Sequence, residues 1–175
     1  MGIQNSAFLH DADHQPITWR GIITKDTQTL STTGTVAVPL FTVTGQIEIT
    51  ALYGVITTAL GNNTAAYWRT NDGSTQNSIT LNTGTSLTGA IKGGVISKKA
   101  GVGTALTLTA GTSGQVMESG TAGATYFQDF VVIANPLATT NIEFVYTTSD
   151  NPTTGVIDFY IRWVPLTPGS TIIPL

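Results

Sequence analysis

The chain has 175 residues, no cysteine and a formal net charge of −3, and 10% of its residues are charged where about 25% is usual. This length fits one domain whose core needs neither a disulfide nor a metal ion. Without cysteine there is no disulfide framework and no thiolate chemistry. Because Lys98 and Lys99 form the only basic cluster, the counterion release that drives nucleic-acid binding is missing. We therefore expect no nucleic-acid partner.

Residues 1–20 combine polar groups with isolated apolar side chains and follow neither the helical nor the strand period. We interpret them as an extended N-terminal arm. They lack the basic region and continuous apolar run of a secretory signal. No apolar run in the chain approaches the roughly 20 residues of a membrane-spanning helix, so we expect no membrane partner. The apolar residues of the arm are Phe8, Leu9, Ile17 and Trp19.

The clearest strand signal lies between residues 36 and 60, and within it the stretch 46–55 shows strand alternation. The opposite face of this strand carries Glu48 and Thr50, but then Leu52 and Ile56. We therefore expect the far end of that second face to be covered as well. Strand alternation predicts that the core face consists of Ile47, Ile49, Ala51, Tyr53 and Val55.

The middle of the chain predicts short strands joined by glycine-containing turns. Residues 65–70 form a strand candidate, and Asp72-Gly73 is a pair typical of a type I′ hairpin. From residue 76 to residue 117 the sequence is rich in glycine, threonine and serine, with alternating segments at 78–81, 95–97 and 105–108. A flexible linker would lack their alternating aliphatic residues.

Three further strands are predicted at 126–134, 141–147 and 155–164, separated by Asn-Pro turns. The last one alternates so regularly that one of its faces must be buried. The segment that follows, 165–175, has three prolines and no charge, so it cannot be a central strand and should dock on another surface. The predicted buried face of the last strand consists of Ile157, Phe159, Ile161 and Trp163.

About ten strand candidates at regular spacing, without a convincing helix, predict an all-β fold of the antiparallel β-sandwich or jelly-roll-like type. An up-and-down barrel is the main rival to this fold. The expected division is an extended N-terminal arm (1–20), a β-sandwich domain (21–164) and a proline-rich apolar C-terminal tail (165–175).

The sequence contains no recognisable catalytic motif. His10, Asp11, Asp13 and His14 are the one cluster of metal-ligand types, but in an extended segment the two histidines lie about 13 Å apart. We interpret this cluster as part of a solvated arm and expect no metal, no cofactor and no enzymatic activity. A phosphate-binding loop and a nucleophile elbow are also missing from the sequence.

A run that contains aromatic residues suggests carbohydrate binding as one candidate function. Tyr67, Trp68 and Arg69 are consecutive, and Tyr53 lies nearby in the sequence. Aromatic faces of this kind can bind sugars on β-sandwich modules. This pattern would suit a carbohydrate-binding module. Two further candidate functions are a pilus or surface-layer subunit and a glycosidase whose carboxylates come from distant strands.

The segments FTVTGQIEI (41–49) and LYGVITTAL (52–60) resemble the small, Thr/Gly-rich virion structural proteins of tailed bacteriophages, in particular capsid decoration or cement proteins. The resemblance implies a β-rich protomer, commonly a homotrimer, made in the host cytoplasm and bound to the outer surface of the virion. There it would bridge neighbouring major capsid proteins and stabilise the shell. The family has no catalytic residues that could be assigned to this chain. The rival function is a carbohydrate- or receptor-binding domain of a phage tail fibre or tail tip.

Apolar residues outside the strong strand patterns are the candidate interface residues of such a protein. Segments that bury little in their own domain are expected to bury more against a neighbour. The candidates are Phe8, Ile17 and Trp19 in the arm, and Ile172, Ile173 and Leu175 in the tail.

Overall fold

The computed structural model describes residues 21–98, 101–109, 129–148 and 155–175. The predicted arm at 1–20 and the first residues of the predicted strand at 126–134 lie outside these ranges. Within the described ranges the regular secondary structure consists of strands alone. They are β1 (Ile22–Leu30), β2 (Gly34–Thr44), β3 (Gln46–Thr58), β4 (Asn63–Asn71), β5 (Gln76–Ser78), β6 (Val95–Ser97), β7 (Thr107–Thr109), β8 (Phe130–Ile133), β9 (Thr140–Thr148), β10 (Gly155–Pro165) and β11 (Thr171–Pro174).

The strands form two antiparallel sheets that pack face to face. Sheet I has the order β1-β10-β3-β6-β7, with β8 also paired to β3, and sheet II has the order β11-β2-β9-β4-β5. The pairing is nested along the chain: β1 pairs with β10, β2 with β9, β3 with β8 and β4 with β5. A chain folded back on itself and wound into two sheets in this way is a jelly roll. The prediction of an antiparallel, jelly-roll-like sandwich is therefore confirmed.

Aromatic side chains at the centre of the core join the two sheets. Phe159 of sheet I lies 4.8 Å from Phe144 of sheet II between ring centroids, and Trp68 lies 5.7 Å from Phe144. All three side chains are fully buried. The predicted buried face of the last long strand is also confirmed, because Ile157, Phe159, Ile161 and Trp163 are all buried.

The predicted core face of β3 is correct only in its first half. Along β10, Trp163 faces Ile49 while the preceding Arg162 faces Ala51, so Thr50 is an extra residue on β3. Such a bulge moves every following side chain to the opposite face. Ala51, Tyr53 and Val55 therefore lie on the outer face and are half-buried, whereas the inner face continues with Leu52, Gly54 and Ile56. Leu52 and Ile56 are buried, as expected, but they lie on the inner face and not on a covered second face.

The turn between β4 and β5 also differs in detail from its sequence pattern. The hairpin between β4 and β5 exists, but Asn71 faces Gln76, so its loop has four residues and is not a two-residue type I′ turn. Asp72 organises this loop, because its Oδ1 accepts hydrogen bonds from the backbone N–H groups of Ser74 and Thr75 at 3.0 and 2.6 Å. Gly73 has a φ of 88°, a conformation that favours glycine.

The segment predicted as a tail contributes a strand of its own. β11 pairs with β2 at the edge of sheet II, with Ile172 opposite Val43 and Ile173 opposite Thr42. The turn before it is fixed by Ser170, whose Oγ accepts a hydrogen bond from the backbone N–H of Gln46 at 3.0 Å. Pro174 is tolerated because an edge strand leaves one side of its backbone unpaired. The tail thus docks on the sheet of its own domain.

Candidate interaction surfaces

The aromatic platform predicted from sequence does not form. Trp68 points into the core and is fully buried. Its neighbour Tyr67 faces outward from sheet II, whereas Tyr53 faces outward from sheet I on the other side of the sandwich. The three rings therefore cannot bind one ligand. Strand alternation explains the result, because consecutive residues of β4 must point to opposite faces.

The outer face of sheet II is polar at its centre, and its charges are paired. Arg69 Nε donates to Glu143 Oε2 at 2.7 Å, and Arg69 Nη1 donates to Gln76 Oε1 at 2.5 Å. Asn71 Nδ2 donates to the other carboxylate oxygen of Glu143 at 2.9 Å. The network ties β4 to β9 and β5, and it leaves no oxygen of the Glu143 carboxylate without a donor. Its geometry indicates a structural role.

The outer face of sheet I carries a stacked pair of tyrosines. The rings of Tyr53 and Tyr160 lie 5.1 Å apart between centroids, at an interplanar angle of 13°. Lys25 Nζ lies 5.8 Å from the Tyr160 centroid and forms an ion pair with Asp158 Oδ2 at 2.8 Å. Since β3 and β1 flank β10 on opposite sides, the two faces of the Tyr160 ring are both occupied. A sugar ring could not stack on it.

Further along the same face, exposed aliphatic side chains surround two charges. Glu48 and Arg162 both point outward and are half-buried, and neither charge has an ion-pair partner among the described residues. Val164 lies opposite Glu48 on the adjacent strand. We call this region the apolar face of sheet I. Its exposed aliphatic members are Ile23, Val131, Ile133 and Leu166.

A second apolar surface lies at the edge of sheet II, and we call it the β11 edge surface. Ile173 and Leu175 are each 56% exposed, and Leu137 in the turn between β8 and β9 is 93% exposed. An open concavity of about 610 Å³, lined by residues 42–45 and 134–139, adjoins them. Thr42, which lines this concavity, is the β-ladder partner of Ile173.

The candidate interface residues thus fall into three groups. Ile173 and Leu175 are exposed, as an interface role requires. Ile172 is 6% exposed because it faces inward beside Val43, so its side chain stabilises the domain itself and its assignment to an interface is withdrawn. Phe8, Ile17 and Trp19 lie outside the described residues.

Sequence reasoning missed the apolar face of sheet I. Glu48 was assigned to a polar face, and Arg162 alternates with the residues of the predicted buried face of its strand, so it was expected on the opposite side; both expectations are correct for each residue alone. Their proximity depends on the register of β3 against β10, and that register includes the bulge at Thr50. The available signal was that Glu48 and Arg162 are charged residues in segments otherwise rich in aliphatic and aromatic residues.

Two ionisable groups are buried away from these surfaces. Lys98 is almost fully buried, with Nζ 5.0 Å from the centroid of the Phe130 ring. Desolvation lowers the pKa of Lys98, and the nearby negative charge of Asp129 opposes that shift. Asp26, on β1, faces the interior of the sandwich. Desolvation raises its pKa, although Gln28 Nε2 donates to its carboxylate at 2.6 Å.

No group of three or more metal-ligating side chains comes together among the described residues. His10, Asp11, Asp13 and His14 lie outside them. Among the described residues, no helix has the length and apolar character needed to cross a membrane.

Comparison with protein-family models, with curated proteins and with solved structures found no match to this chain.

Proposed function

We propose that this protein is a non-enzymatic virion structural protein of the capsid decoration type, which binds the outer surface of a phage head and bridges its major capsid proteins. The sequence resemblance at residues 41–60 motivates the proposal. The jelly roll is compatible with it, because viral capsid proteins use this fold, but lectins and cupins use it too. A fold alone does not decide a function.

The observation that carries the proposal is the presence of two separate apolar surfaces. The apolar face of sheet I lies on the outside of one sheet, and the β11 edge surface lies at the margin of the other. Exposed contiguous apolar surfaces are typical of protein–protein contacts. A protein that bridges neighbours needs contacts on more than one side, and this arrangement supplies them.

The rival function, a carbohydrate-binding tail domain, was based on the aromatic platform predicted from sequence, and that platform does not form. Trp68 is in the core, and Tyr160 is covered on both ring faces. Within this proposal we assign contact with the shell to the β11 edge surface, because the candidate interface residues Ile173 and Leu175 are exposed there.

The test is co-sedimentation of the purified protein with empty capsids of the parent virus. We expect the wild-type protein to bind saturably and Ile173→Asp/Leu175→Asp to bind at least about tenfold more weakly, because two apolar contacts are replaced by charges. Point substitutions are preferable to deletion of residues 168–175, since deletion would remove β11 from sheet II.

The matched control is Ile91→Asp, which changes a residue of similar exposure at the other end of the sandwich. Circular dichroism and thermal unfolding verify that all variants are folded. Absence of wild-type binding, or equal losses in Ile91→Asp and the double variant, would contradict the assignment.

A further inference from the structure

The apolar face of sheet I has the properties of a contact between two copies of this chain. We propose that two protomers associate through this face about a two-fold axis, with Glu48 of each protomer paired to Arg162 of the other. The proposal concerns the isolated protein, and its test does not require shells.

The β-ladder register defines how the face is arranged. Val131 on β8 lies opposite Glu48 on β3, and Glu48 lies opposite Val164 on β10. Ile23 on β1 lies opposite Arg162. Side chains of four adjacent strands thus project on one side, with aliphatic groups at the margins and the two charges near the middle. Ile133, at one end, is 66% exposed.

The two charges fit a two-fold contact. Glu48 and Arg162 are diagonal neighbours on either side of the bulge at Thr50, and diagonal neighbours in a regular ladder have Cα atoms about 7–8 Å apart. A two-fold axis that lies in the interface, parallel to the sheet and perpendicular to the line joining the two charges, places each charge over its opposite on the second copy. An isologous interface has this self-complementarity by definition. Lys25 and Asp158, which also lie on this face, already pair with each other.

The size of the face predicts weak association. Four strands about 4.8 Å apart, with about seven residues of about 3.4 Å each, give a flat area of roughly 20 by 25 Å. A standard interface buries about 800 Å² on each partner. The area of this face is smaller. We therefore expect a dimer whose population depends on protein concentration in the micromolar range.

Charge reversal provides the experiment. Analytical ultracentrifugation of the full chain, from about 1 μM to about 1 mM, should show a monomer–dimer equilibrium for the wild type. Glu48→Lys and Arg162→Glu should each weaken dimerisation at least about tenfold, because either substitution alone places like charges together at both symmetry-related positions. An equimolar mixture of the two variants should dimerise again, since both intermolecular pairs are then opposite in sign.

Matched controls separate this contact from general surface effects. Lys92→Glu reverses an exposed charge outside the face, and Leu137→Ser removes an exposed aliphatic side chain on the β11 edge surface; neither should change the dimerisation constant. Ile133→Ser should weaken it.

Three outcomes would overturn the proposal. The first is a wild-type protein that stays monomeric at every concentration, which means that another part of the chain or a different partner covers the face. The second is a trimer, the state that the resemblance to decoration proteins implies. The third is a mixture of the two charge variants that does not recover dimerisation.

Discussion

At the scale of single residues, Trp68 is one of the buried side chains that join the two sheets. It lies against Phe144 within its own sheet and 6.5 Å, edge-on, from Phe159 of the other sheet. Trp68→Ala should lower the free energy of unfolding by about 3–5 kcal/mol, the usual cost of truncating a buried aromatic residue. Urea denaturation measures this loss as a lower midpoint at an unchanged slope.

Trp68→Phe is the matched variant for that experiment. It keeps an aromatic ring in the core and also removes the indole N–H, which is buried without a hydrogen-bond partner among the described residues. We expect it to be clearly less destabilising than Trp68→Ala. A stability of Trp68→Ala close to that of the wild type would mean that the ring does not lie in the core.

Asp26 predicts a pH dependence of stability. Burial raises the pKa of its carboxyl group above the ordinary value of 3.8, so the folded state binds a proton more tightly than the unfolded state does. Its contribution to stability is therefore greatest below the unfolded pKa and decreases as the pH rises through the folded pKa. Asp26→Asn should be more stable than the wild type at neutral pH, because it removes a buried charge while keeping an oxygen that accepts from Gln28.

Denaturant unfolding at neutral and at mildly acidic pH checks this prediction. The stability difference between Asp26→Asn and the wild type should shrink as the pH falls, because the wild-type carboxyl group becomes neutral as well. A difference that grows on acidification would show that the carboxylate form is the stabilising one.

At the scale of secondary-structure elements, Arg69 and Glu143 hold β4 against β9. Glu143 has a side-chain exposure of 8%, so removal of its cationic partner leaves a charge that water solvates poorly. Arg69→Met should cost about 3–5 kcal/mol, whereas Arg69→Met/Glu143→Met should cost less, because it leaves no unpaired charge. A double-mutant cycle of unfolding free energies measures the coupling. Additive effects of the two single substitutions would contradict it.

The elements also show where sequence patterns stop being informative. The alternation in β10 is regular and predicted its buried face correctly. In β3 the alternation continues through Thr50 without interruption, and only the ladder with β10 reveals the extra residue. β11 was not predicted, because the prolines of the segment 165–175 exclude a central strand. Its role as an edge strand depends on a partner, β2, that lies more than 120 residues earlier in the chain.

At the scale of the whole molecule, composition and short strands were sufficient to predict an all-β sandwich, but they could not give the strand order. The nested pairing joins Ile22 to Trp163 and Gly34 to Thr148, and local propensity contains no information about such distant partners. The same limit applies to the candidate surfaces. Single exposed residues such as Ile173 could be predicted, whereas the proximity of Glu48 and Arg162 follows only from the assembled sheet.

The two proposed contacts together predict how dimerisation affects shell binding. A dimer presents two β11 edge surfaces, so once one surface is bound the second binds at a high effective concentration. Arg162→Glu, which leaves the β11 edge surface intact, should therefore weaken the apparent affinity for shells by about 100-fold. Adding an equal amount of Glu48→Lys should restore it. Ile173→Asp should instead weaken shell binding without changing the dimerisation constant.

Co-sedimentation with empty shells, in parallel with analytical ultracentrifugation, distinguishes these effects. If monomeric Arg162→Glu bound shells as tightly as the wild type, avidity would play no part, and one β11 edge surface would supply the whole affinity. If neither Arg162→Glu nor Ile173→Asp altered shell binding, the contact with the shell would lie on a different part of the chain. Recovery of both dimerisation and shell binding in the mixture is expected only if the two surfaces act together, because neither variant alone can form the two-fold contact.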